Sequence, residues 1–388
     1  MTTLAAPDRG RSRTLTGVPW YLWCAALAVT SAYVGGYWDI SWHRSIGRDS
    51  FWTPAHLAIY ACGALAGIAS AYLILTTTFG PDRSLRDVSV RVWGLRAPAG
   101  AFISAWGGLA MLASAPFDDW WHNAYGLDVR IVSPPHMVLA AGFFGIELGT
   151  IMLLLAFMNR APASAERTLQ SLFLYVGGMA VSESLLLKME YISRSDMHNA
   201  LFYTVVSLGT PLILIAVAVA ARRRWACTIM AGVYTAFGVG FLWLLPLFPA
   251  EPKLGPVYRP VTHFIPWEFP LLLIVPAVVV DLLLQRTVEW RPIARGVIAG
   301  IAFLASFVAV QWPFADFLMA PLARNRFFGA HYMDFNTLPD SSYARNVFFS
   351  RHADAAQFWR GMLVALLVSC VMAAVGVQAG RLMQKVRR

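Results

Sequence analysis

The chain has 388 residues, of which 58% are hydrophobic and only 13% are charged. A soluble protein of this length needs more charge to cover its surface, so the bilayer is the expected solvent. Lys and Arg outnumber Asp and Glu by 31 to 21, but they cluster between long apolar runs, as membrane topology requires. The sequence has no Gly-rich phosphate loop and no basic stripe interleaved with aromatics, so nucleic acid is not an expected partner.

Apolar runs long enough to span a bilayer, about 20 residues each, lie near 19–40, 53–78, 97–117 and 134–158. Others lie near 170–188, 199–221, 225–246, 267–284, 293–314 and 358–380. The fold class expected is an all-α, polytopic transmembrane bundle of about ten helices. Arg9, Arg11 and Arg13 precede the first run, which lacks an A-x-A-like site at its end and therefore reads as an uncleaved helix. The positive-inside rule puts both termini in the cytoplasm of a bacterial cell, with Arg83, Arg86, Arg91, Arg96 and the Arg222–Arg224 cluster facing inward. Four regions follow: a module over 19–160, further spans over 165–314, an extracytoplasmic segment over 315–357 and a last span over 358–380. Cys24, Cys62, Cys227 and Cys370 each sit in an apolar run without a CxxC pair, and read as small buried residues rather than ligands or disulfides.

Two windows of the first module match. The first contains Asp39, Trp42, His43, Gly47, Asp49, Thr53, Pro54 and His56; the second contains Asp118, Trp121, His122, Gly126, Asp128, Ser133, Pro134, Pro135 and His136. In each, Asp precedes His by four, Gly follows that His by four, and a second Asp follows it by six. This is a duplicated helix–loop–helix unit. Residues four apart share a helical face, so Asp39 with His43, and Asp118 with His122, can converge on one ion. A cap residue and Pro then open the next helix and put His56 or His136 in its first turn, where the helix dipole disfavours imidazolium. Neutral imidazole is the form that ligates metal.

The product is two Asp-His-His sets with positions left open. Carboxylates and imidazoles at membrane depth are costly and usually functional. Asp49 and Asp128 are candidates to stand behind the ligands and fix the imidazole tautomer. Trp42 and Trp121 read as interfacial anchors. Imidazole suits copper, zinc, iron and nickel, and a 2-His-1-carboxylate set with open positions is also the non-haem iron pattern. Axial haem ligation leaves Asp39 and Asp118 unexplained. Elsewhere, Glu190 with His198, and His263 with Glu268, echo the repeat only faintly, and the ligand spacing of His331 and His352 is poor.

The string Asp39-x-Ser-Trp-His43, Arg48-Asp49 and Thr53-Pro54-x-His56 resembles the copper-site motif of the C subunit of the particulate methane monooxygenase and ammonia monooxygenase family. The second window is similar to that subunit's second metal site, although the family often begins it with Asn where this chain has Asp118. The likeness covers residues 19–160. It implies copper on Asp39, His43 and His56, and a second copper on Asp118, His122 and His136, with iron or zinc as alternatives. It also implies dioxygen-dependent hydroxylation of a small apolar or ammonia-like substrate, within a complex with A- and B-type subunits or an oligomer. Non-catalytic copper handling, as sensor, chaperone or transporter, is the competing expectation.

Overall fold

The computed structural model describes residues 17–81, 84–126, 133–193, 196–253, 261–329 and 354–387. Asp128, His331 and His352 lie outside them. The described residues form α1 (Trp20–Ser45), α2 (Pro54–Phe79), α3 (Ala99–Tyr125), α4 (Pro134–Met158), α5 (Ala163–Leu186), α6 (Ala200–Ser207) and α7 (Thr210–Ala221). They continue with α8 (Ala226–Leu244), α9 (Ile274–Arg286), α10 (Pro292–Met319) and α11 (Ala355–Met383). Eight spans, with α6 and α7 taken as one, are long and apolar enough to cross a membrane. A helix satisfies every backbone polar group within one segment, which is what such apolar sequence needs in lipid. The chain is thus an all-α, polytopic membrane protein.

The four helices of the first module pack as two antiparallel hairpins, α1 with α2 and α3 with α4, joined through α2 and α3. Small residues permit the close approach of α3 and α4: a Cβ on Gly107 would lie 2.6 Å from the Ile146 nitrogen. A core of Tyr33, Tyr37, Ile59, Cys62, Met111 and Ile146 fills the space between the hairpins. Between α2 and α3 stands a two-stranded hairpin, β1 (Val90–Val92) and β2 (Leu95–Ala97), which the apolar runs do not announce. Its turn carries Trp93 and Gly94 at positive φ, the conformation that matches strand twist in tight hairpins.

Several boundaries differ from those expected, each for a local reason. The run over 199–221 is broken between α6 and α7, where Gly209 takes φ +105° and Pro211 follows in the first turn of α7. The run over 267–284 becomes helical only at Ile274, because Pro266 and Pro270 hold the preceding chain extended. α9 then has 13 residues, about 20 Å of helix, well short of a bilayer core. α3 and α10 run on past their expected ends, so that Asp316, expected in the extracytoplasmic segment, lies in the last turn of α10. All four cysteines are free, with Cys62 and Cys227 fully buried.

Candidate metal centre

The first set is built where α1 ends and α2 begins. Asp39 and His43 sit one turn apart near the end of α1. The helix closes with the Ile46 and Gly47 amides both donating to the Trp42 carbonyl. Gly47 takes φ +86°, the left-handed turn that glycine adopts at least cost. The loop then doubles back: Trp42 Nε1 donates to the Arg48 carbonyl at 3.0 Å and Tyr60 donates to that of Phe51 at 3.2 Å. Pro54 opens α2 and sets His56 in its first turn. Thr53 does not cap this helix with its side chain, as its place before Pro54 suggests; its hydroxyl accepts the Ser50 amide at 2.8 Å instead. Its role is to tighten the loop.

This geometry brings four donors into a closed ring. His56 Nε2 lies 3.1 Å from Asp39 Oδ1 and 3.2 Å from Asp49 Oδ2. His43 Nε2 lies 3.7 Å from Asp39 Oδ2 and 3.5 Å from Asp49 Oδ2. Donors on an ion bound at about 2.0–2.2 Å stand roughly 3 Å or slightly more apart, so the edges among Asp39, Asp49 and His56 fit a shared cation, with His43 at its margin. Asp49, expected behind the ligands, therefore stands among them. The hydrogen bond from His56 holds the Asp49 carboxyl below the ordinary carboxylate range, against the opposing effect of burial.

The far nitrogen of His43 fixes the tautomer. His43 Nδ1 lies 3.3 Å from the Gly47 carbonyl, which can only accept, so Nδ1 carries the proton and Nε2 presents its lone pair. The same device recurs in the second set, where His122 Nδ1 lies 3.1 Å from the Gly126 carbonyl. Gly126 takes φ +88° and Gly47 φ +86°, so the two glycines match in φ as well as in their distance from the His. Thus the tautomer-fixing role given in advance to Asp49 belongs to a backbone carbonyl.

In the second set, Asp118 and His122 lie in α3 and His136 in the first turn of α4. Ser133 is a true cap, its hydroxyl accepting the His136 amide at 3.4 Å. Asp118 stands between the imidazoles, 3.5 Å from His122 Nε2 and 3.6 Å from His136 Nε2. This is an open arrangement of three donors centred on the carboxylate. Asp128, the counterpart of Asp49, lies outside the described residues.

Both sets face one cavity of about 570 Å³. Asp39, His43, Asp49, His56, Asp118, His122 and His136 all line it, and Ile59, Leu139, Phe143 and Leu186 form apolar walls. Glu190, one of the faint echoes in the sequence, also reaches this lining. Its companion His198 does not; it is buried and pairs with Asp316 of α10 at 3.4 Å. His263 stays at the surface beside Thr262.

One contributor has no signal in the motif. The segment following residue 261 lies across the end of α1: Ser41 donates to the Ile265 carbonyl at 2.7 Å and the Ile265 amide donates to Ser45 at 2.7 Å. Arg44 stacks on Trp267 at 4.4 Å, and Phe264 packs on Trp42 at 5.8 Å. The strap braces the first loop against the bundle. No protein-family model, curated protein or solved structure matches the chain.

Proposed function

We propose that the chain is a copper-binding membrane protein and acts as a monooxygenase-like oxidoreductase, or a subunit of one, on a small apolar or ammonia-like substrate. The observation that carries this reading is the ring of Asp39, His43, Asp49 and His56, opening with the second set into one cavity walled by apolar side chains. A mixed nitrogen and oxygen set of four suits copper(II), which favours tetragonal surroundings. Copper held there would supply dioxygen activation and one-electron chemistry. The chain's own part is to fix the donors, to keep Nε2 of His43 and His122 unprotonated through the Gly47 and Gly126 carbonyls, and to offer an apolar wall to the substrate. Ile59, Leu139 and Phe143 suit a guest with little hydrogen-bonding capacity. The resemblance over residues 19–160 supports the same assignment, with A- and B-type subunits as partners. Positive-inside topology supports an extracytoplasmic position for the cavity in a bacterial cytoplasmic membrane.

A second reading, non-haem iron, is favoured by the second set alone. Asp118, His122 and His136 make a 2-His-1-carboxylate group with one side open to the cavity. Electron paramagnetic resonance on the purified protein separates the two. We expect an axial copper signal whose first-set component is lost in an Asp39→Ala/His43→Ala/His56→Ala variant. Iron at both sets would replace copper by iron in the assignment, and protein that takes up no transition metal would overturn both readings. Dioxygen-dependent oxidation of a small apolar substrate or ammonia, set against copper tolerance of a deletion strain, then distinguishes catalysis from copper handling.

A further inference from the structure

The opposite end of the bundle carries a cluster of cations that the metal cavity does not use. α4 runs from His136 at the cavity to Asn159 just beyond its other end, and there Asn159 donates to the Met383 and Val386 carbonyls at 2.9 and 2.7 Å. At this end α7 stops at Arg222, α10 starts with Arg295 in its first turn, and α11 closes with Arg381 in its last turn.

Close helix packing fixes these positions. A Cβ on Gly296 would lie 2.3 Å from the Ala374 Cα, and one on Gly380 would lie 2.6 Å from the Ala216 carbonyl oxygen. Each glycine adjoins one of the arginines, so the tight α10–α11 and α7–α11 contacts set where the arginines emerge. Two recesses adjoin here. The first, of about 290 Å³, is lined by Trp290, Arg295, Arg381 and Gln384 with Val219 and Val377. The second, of about 450 Å³, adds Arg222, Gln378 and Lys385 and shares Arg381 and Gln384 with the first.

Among the described residues no carboxylate lines either recess. Like charges gathered without a counter-charge repel one another. Arg295 Nη2 donates to the Leu284 carbonyl at 2.8 Å, but its Nε is buried with no hydrogen-bond partner among the described residues. Its place at the start of α10 adds the positive end of that helix dipole. The gathered cations and the α10 dipole ask for an anion, a demand partly offset by the C-terminal ends of α7 and α11.

We propose that the adjoining recesses bind the phosphate of an anionic phospholipid headgroup, with Arg295 and Arg381 as its main ligands and Arg222 and Lys385 at the rim. Guanidinium groups match the geometry of phosphate oxygens. The site lies where apolar spans end, the level at which headgroups sit. Trp290, half exposed on the turn before α10, is the amphipathic ring expected at that level. Val288 and Trp290, both more than half exposed, give the first recess an apolar flank along which an acyl chain can run.

Native mass spectrometry of the detergent-purified full chain tests this, with phosphatidylglycerol, phosphatidylcholine and inorganic phosphate added in separate arms. Phosphatidylglycerol is expected to remain bound at concentrations at least about tenfold below those needed for phosphatidylcholine, since about 1 kcal/mol accrues per basic residue at an anionic lipid surface. Inorganic phosphate is expected to displace it only weakly. Arg381→Gln, at an exposed position that leaves the fold intact, should lose most of this preference, and Arg295→Gln/Arg381→Gln should lose all of it. Arg91→Gln/Arg96→Gln, which removes as much charge from the β1–β2 hairpin, should retain it. Equal retention of the two lipids, an undiminished preference in Arg381→Gln, or complete displacement by inorganic phosphate would overturn the proposal.

Discussion

The two copies of the repeat share the spacing of Asp, His, Gly and the second Asp, and differ by one residue in the step to the second His. At the first, four donors close into a ring in which His56 and Asp49 are 14% and 13% exposed. At the second, the three donors among the described residues centre on Asp118, and His136 is 33% exposed. Both copies share the i, i+4 pair, the positive-φ glycine and the Nδ1 contact to its carbonyl, which are local consequences of a helix running into a glycine turn. The strap through Ile265 and Trp267 lies on the end of α1, and the Trp42 indole ties the first loop back to its own helix. Duplication supplies the hairpins, and packing from elsewhere in the chain braces the first of them.

That contrast can be broken in graded steps. The largest effect is expected from His43→Ala/His56→Ala, which removes both nitrogens of the ring. Metal affinity at the first set should fall by more than about 100-fold, beyond the usual cost of losing a supporting residue, while the second set keeps its ion in a competitive chelator titration. Asp49→Asn should weaken the first set by about 10- to 100-fold and leave the second unchanged. An unaltered affinity there would exclude Asp49 from the ligand set.

Gly126→Ala places a side chain at φ +88° and ψ −177°, a region essentially closed to all but glycine. Thermal unfolding should show a loss of about 1–3 kcal/mol, with His122 displaced and only the second set weakened. Trp42→Phe is the mildest change. Losing the indole bond to the Arg48 carbonyl should cost about 1 kcal/mol, and the altered loop should affect the first set alone.

The comparison also shows what a sequence can disclose. Asp39, His43, Asp118 and His122 were legible because helical periodicity alone brings residues four apart together, and His56 and His136 because Pro marks a helix start. Asp49 reads in the sequence as standing behind the ligands, whereas the turn at Gly47 brings its carboxylate to the same imidazole nitrogens as Asp39. The spans were legible from apolar length. The break at Gly209 and the late start of α9 after Pro266 and Pro270 were not, because hydropathy continues across both while the backbone does not. Asp316, expected in the segment after the ninth span, lies in the last turn of α10, where it pairs with His198.

Metal content per chain tests the central claim most directly. Purified wild-type protein loaded with copper and freed of excess ion should hold about two ions per chain, one for each Asp-His-His set. The Asp39→Ala/His43→Ala/His56→Ala variant should hold about one, and the further loss of Asp118, His122 and His136 should leave none. Wild-type protein that retains no copper, or a triple variant that retains as much as the wild type, would contradict the account.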